Sequence, residues 1–224
     1  MTEATDRIHP LQLTSLLLQY PDEARREAAA AVAGLEIAPG PDKVARELRE
    51  FSAWYAAQPL GELQRLYVDA FDFSKQCSLH LTYHVHGDRR QRGMAMLQLK
   101  DAYRAAGVDP PGDELPDFLP LMLEFAAIAP DSRGRDLLEE HRVSIELVRA
   151  GLGREGSPYQ PLLDVVVASL GRLSSRKLSR IKALAKSGPP EEEVGLEPFA
   201  PPEVMPTGDP DTARPLVGGR EVSL

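Results

Sequence analysis

Three side chains able to ligate a metal, Cys77, His80 and His84, fall in one eight-residue stretch. On a helix, which turns 100° per residue, they project within about 60° of one another. Such a face could hold a zinc ion with one position open. A second reading is also open. Leu81 lies beside them, and a lone cysteine often serves as a small buried hydrophobe. Neither a cysteine-pair spacing nor an HExxH pattern accompanies the trio, so no metal is expected. With Asp88 added, His80 and His84 would form the ligand set of a metal-dependent hydrolase.

The junction 84–93, HVHGDRRQRG, gathers two histidines, a helix-stopping glycine, an acid and three arginines. His86 and Asp88 are close enough for a charge-assisted hydrogen bond, which would raise the histidine pKa. No nucleophile or second carboxylate stands nearby in sequence. Asp88 can equally be a helix N-cap, with the arginines turned to water. In 114–125, ELPDFLPLMLEF, almost every residue after Pro116 is apolar, which predicts a helix buried all round. That singles out Asp117 and Glu124, seven residues apart and so on one helical face. A buried carboxylate needs a partner or it protonates.

Arg172, Arg176, Lys177, Arg180, Lys182 and Lys186 place six bases near one helix end with no acid between them. Cations there complement the helix dipole. A nucleic-acid stripe would add aromatics for base stacking, and none is present. Over the whole chain 26 bases oppose 34 acids, a net charge of −8, which also argues against phosphate-backbone binding.

The elements that must position these residues are helical. Asp6 can cap a helix bearing Leu11, Leu13, Leu16, Leu17 and Leu18, and Asp22 can open the next, which stops at Gly34. Residues 42–57 carry Val44, Leu48, Phe51 and Tyr55 at helical spacing. Further helices are expected over 60–70, 74–86, 89–106, 116–129 with Pro116 at its first position, 132–151 and 159–186. No alternating strand segment stands out. The fold class is therefore all-α, about eight or nine helices in a single domain over 6–186.

The last stretch, 187–224, holds eight acids, two bases and eight of the 20 prolines. It cannot offset its ordering entropy by burial and is expected to be a disordered tail. The single cysteine fits a reducing compartment. The N-terminus is acidic where a secretory leader is basic. The longest apolar run, 118–129, is 12 residues and carries Pro120 and Glu124, too short for a bilayer. A cytoplasmic location without stable membrane insertion is expected.

The stretch YVDAFDFSKQCSLHLTYHVHGDRRQRGMAML at 67–97 resembles the NarJ family, the molybdenum-cofactor assembly chaperones of respiratory nitrate reductase. Their larger group is the TorD/DmsD-like redox-enzyme maturation proteins. The resemblance rests on Tyr67 and Phe71, on His84-Val85-His86-Gly87-Asp88, and on Arg92-Gly93. The ELPDF segment with its apolar turn and Leu123-Glu124-Phe125, and Leu17-Leu18-Gln19-Tyr20-Pro21, extend it over roughly 8–186. Phe118 stands where the family commonly has histidine, so no role of that histidine carries over.

The resemblance implies an all-helical fold, no catalytic reaction and no cofactor of the chain's own. It implies a chaperone that binds the N-terminal segment of the apo nitrate reductase catalytic (alpha) subunit. That hold would last until the molybdenum cofactor and iron–sulfur centres are in place and the enzyme docks at the membrane. Cofactor-delivery proteins are candidate further partners. The expected peptide-binding residues are Tyr67, Phe71, His84, His86, Asp88, Arg92, Asp117 and Glu124. A helical body with apolar helices and a mixed polar junction can offer a groove for an amphipathic helix. A plain helical adaptor is the remaining alternative.

Overall fold

The computed structural model describes residues 7–87, 90–109, 114–129, 131–170 and 173–187. Asp6, Asp88, Arg172 and the expected tail beyond Ser187 lie outside the described residues. α1 (Pro10–Leu17) starts at His9, whose Nδ1 accepts the Leu11 amide, with Pro10 preset in the first helical position. α2 (Glu23–Ala31) is opened as expected by Asp22, whose carboxylate accepts the Arg25 amide. α3 (Asp42–Ala57) has the predicted bounds, and Val44, Leu48, Phe51 and Tyr55 are buried. α4 (Leu60–Tyr67) is shorter than expected because the chain widens into one π turn at Val68–Asp72.

The all-α class holds, with corrections in detail. Eleven α-helices occur among the described residues, more than expected. Residues 74–86 are not one helix: a short 3-10 turn at Lys75–Cys77 leads into a bend at Leu79, and only α5 (Tyr83–His86) is helical, ended by Gly87 at φ 57°. α6 (Arg90–Ala105) follows. Pro116 does not start α7 (Leu119–Ile128); Phe118 precedes its first turn. Residues 132–151 divide into α8 (Arg133–Glu140) and α9 (Arg142–Glu155) at His141, where φ −89° and ψ 10° leave the helical basin. The 159–186 stretch likewise divides into α10 (Gln160–Ser169) and α11 (Ser175–Ser187). Two very short strands, β1 (Arg7–Ile8) and β2 (Glu36–Ile37), pair in parallel although no strand was expected.

α1 is the hub of the core and packs on α3, α7 and α10. Its Leu13, Leu17 and Leu18 are inaccessible to water. α7 and α8 approach closely at Gly134, where an added Cβ would stand 2.4 Å from the Ala126 Cα. Gly134→Ala should therefore destabilise the fold by about 1–3 kcal/mol, because backbone must move to make room. Urea unfolding checks this against Gly93→Ala on α6. A Cβ at Gly93 would meet nothing within 4 Å beyond its own helix, so the gain in helix propensity should leave stability equal or higher.

Candidate functional site

Ser78-Leu79-His80-Leu81-Thr82 alternates polar and apolar residues; the chain bends at Leu79 and turns at Leu81-Thr82, with Thr82 already in the helical basin. It meets the segment before α7 in an antiparallel bridge between His80 and Phe118. The Leu81 amide donates to the Asp117 carbonyl (3.0 Å), and the Leu119 amide donates to the Leu79 carbonyl (2.9 Å). Leu79 and Leu81 point into the core, and Ser144 Oγ donates to the Leu81 carbonyl at 2.7 Å. His80 and Thr82 instead face the Asp117 carboxylate.

Asp117 has no exposed surface. Its Oδ1 accepts from His80 Nδ1 at 3.1 Å, so that nitrogen carries the proton. Its Oδ2 accepts from the Thr82 amide at 3.2 Å and from the Thr82 hydroxyl. The Arg92 guanidinium stands 3.6 Å from the same oxygen, and Arg92 Nε donates to Thr82 Oγ1 at 3.3 Å. Burial pushes the Asp117 carboxyl up, but the hydrogen bonds from His80 and Thr82 and the positive charges outweigh it and hold it below its ordinary 3.8. Arg92 also lies over the Tyr83 ring, 5.8 Å from its centre.

These side chains form the wall of a cleft of about 210 Å³ lined by Phe71, Asp72, Ser74, Lys75, Ser78, His80, Tyr83 and Arg92. Phe73, between two lining residues, is 79% exposed. Lys75 and Asp72 are exposed. The volume suits one or two partner side chains rather than an organic cofactor, whose sites run about 300–1,000 Å³. His80 and Asp117 resemble the base and orienting acid of a hydrolase. No hydroxyl or thiol among the described residues hydrogen-bonds His80 Nε2, and the Thr82 hydroxyl is committed to Asp117, so the nucleophile is missing.

The structure separates several residues that spacing had grouped. With 74–86 broken, Cys77, His80 and His84 share no helical face. Cys77 packs under Gly151, its thiol pushed up to about 11 chiefly by burial. His84 is buried, and its Nε2–H donates to the Ser78 carbonyl at 2.8 Å. Burial holds its pKa down, against the opposing pull of that carbonyl and of Asp117. No cluster of three or more potential ligands occurs among the described residues. His86 was expected to titrate high through Asp88. Partial burial instead lowers its pKa, and Arg180 and His141 push the same way.

Tyr67 and Phe71 are each only 6% exposed. They stack at 4.8 Å and both pack on Tyr159, and Tyr67 OH donates to the Leu18 carbonyl at 3.2 Å. Phe71 thus floors the cleft, while Tyr67 supports it from within. Asp117 and Glu124 do not share a face: α7 begins after Asp117, and the exposed Glu124 lines a separate hollow with Arg7, Gln12 and Gln19. Phe73, Lys75, Thr82 and Tyr83 were not among the expected site residues, and His80 figured only as a candidate metal ligand. The 78–82 alternation carried the signal for His80 and Thr82.

The fold is an all-helical one, with the cleft between the 71–83 segment and α6. The chain belongs to the nitrate reductase delta subunit family, whose family model matches residues 36–163. It is 35% identical over 173 residues to the nitrate reductase molybdenum cofactor assembly chaperone NarJ of Bacillus subtilis, covering 77% of this chain and 94% of that one. It is 35% identical over 163 residues to the NarJ chaperone of Escherichia coli K12, covering 70% and 67% of the two chains. The nitrate reductase-like protein NarX of Mycobacterium tuberculosis is 38% identical over 148 residues, 66% of this chain but 22% of that longer protein. A solved structure from Archaeoglobus fulgidus, described as a redox enzyme maturation protein, superposes with a TM-score of 0.49 at 22% identity, covering 79% and 90% of the two chains. The family is one of cofactor-assembly chaperones, not of catalytic enzymes.

Proposed function

We propose that this chain binds the N-terminal segment of the apo respiratory nitrate reductase catalytic subunit in the cytoplasm. It holds that segment until molybdenum cofactor insertion and membrane docking. One observation carries the site assignment: an exposed aromatic, Phe73, is flanked in the chain by Asp72 and Ser74, which line a cleft whose His80 and Arg92 are held by a fully buried carboxylate. Asp117 itself has no surface to offer a partner. It fixes His80 and Arg92, and these face the peptide together with Asp72, Lys75 and Tyr83. The partner's apolar side chain packs on Phe73 and Phe71, and its charged residues meet Lys75 and Asp72. No described helix is long and apolar enough to cross a membrane, which agrees with a chaperone acting before docking.

Calorimetric titration of the partner's N-terminal peptide tests this. Phe73→Ser should weaken binding about ten- to thirtyfold, the loss typical of an aromatic anchor, with an unchanged melting temperature. Met94→Ser serves as control, because Met94 is also exposed (60%) but, unlike Phe73, has no cleft-lining residue on either side of it in the chain. Equal affinity for wild type and Phe73→Ser would remove the cleft from consideration.

A further inference from the structure

A second cavity, away from the Asp117 cleft, has about 410 Å³ and is more enclosed. It lies where the start of α1, the 39–41 loop, α8 and the last turn of α10 meet. Its lining is mostly apolar: Pro39, Pro41 and Ala168 are exposed along it, while Val44, Leu138, Val165 and Leu170 are nearly buried. The volume falls within the range of small-molecule sites, about 300–1,000 Å³.

Two polar side chains decide what could enter. Arg135 is exposed, lines the cavity and has no hydrogen bond or ion pair among the described residues. His9 lines it too. Its Nδ1 is occupied by the Leu11 amide, which leaves Nε2–H as its donor. Burial, aided by the neighbouring Arg7 charge, lowers the His9 pKa and keeps the ring neutral. The cavity thus offers one positive charge over an apolar pocket. A guanidinium fork pairs bidentately with a carboxylate. A phosphate, with more charge, would call for a second cation, and none lines the walls among the described residues.

We infer that this cavity is a binding site for a small amphiphilic carboxylate, with its apolar part inside and its carboxylate on Arg135. The site is independent of the peptide cleft and does not rest on the proposed function.

The test uses the full chain and three probes, octanoate, octanol and octylammonium, titrated while methyl NMR shifts are followed. Octanoate should bind and shift the methyls of Val44, Leu138 and Leu170. Octanol should bind about tenfold more weakly and octylammonium more weakly still. Arg135→Gln should remove the octanoate advantage and leave octanol unchanged. Ala168→Phe, at an exposed lining position that does not endanger folding, should block all three. Equal affinity for octanoate and octanol, or an unaltered octanoate affinity in Arg135→Gln, would overturn the charge recognition. Shifts confined to other methyls, or no saturable binding, would overturn the site.

Discussion

Asp117→Ala should lower the folding free energy by about 3 kcal/mol, the lower end of the cost of removing one partner from a buried charged set. The lower end applies because the His80 and Arg92 side chains are 32% and 22% exposed and can rehydrate once the carboxylate is gone. The Thr82 amide and hydroxyl lose their acceptor as well. The pH dependence has a definite sign. The folded-state pKa of Asp117 lies below its ordinary 3.8. The stabilisation is therefore complete above that value and is lost as pH falls through the folded pKa. The stability gap between wild type and Asp117→Asn should be wide at pH 7 and narrow well below pH 3.8. Urea unfolding at a series of pH values measures it. A gap that widens with acid would contradict the ionised hub.

Arg142→Ala should cost about 3–5 kcal/mol, because its side chain is only 4% exposed and the Glu146 side chain it faces only 8%. Arg142 Nε donates to Glu146 at 3.0 Å, and its guanidinium pairs with Glu139 at 3.4 Å. Glu146 also meets Arg149 at 3.3 Å, and Glu139 accepts from Lys177 of α11 at 2.8 Å. The loss leaves Glu146, only 8% exposed, with Arg149 alone, and Glu139 with Lys177 alone, at the junction of α8, α9 and α11. A second substitution separates charge burial from packing. Arg142→Met combined with Glu146→Leu removes both members of the pair and should recover most of the lost stability. Denaturant midpoints of the two variants decide the matter. Equal destabilisation in both would mean that the side-chain stem, not the ion pair, matters there.

Much of the fold was legible in the residues themselves. The spacing of Val44, Leu48, Phe51 and Tyr55 gives α3 its bounds, Asp22 caps α2, and Gly87 and Gly107 end α5 and α6 at φ 57° and 75°. These signals are local: a cap, a stop or a stripe acts within a few residues of itself. The candidate site was legible only in part. Arg92 and Asp117 stood out by type and motif; Arg92 lines the candidate cleft and Asp117 is buried behind His80 and Arg92. What Asp117 does there depends on Thr82 and His80, which lie 35 and 37 residues away. Leucines of the 78–82 segment must enter the core, and its free backbone groups find partners beside Phe118. That pairing overrides the helix that Cys77, His80 and His84 seemed to share. Tyr67 and Phe71 read as contacts for a partner; the tertiary fold packs both on Tyr159, which leaves Phe71 on the floor of the cleft and Phe73 outside. The sequence alone determined which segments coil into helices, because helix formation answers to neighbours. Only the tertiary structure decided which carboxylate is buried and which aromatic is exposed, because burial answers to whatever the rest of the chain brings alongside.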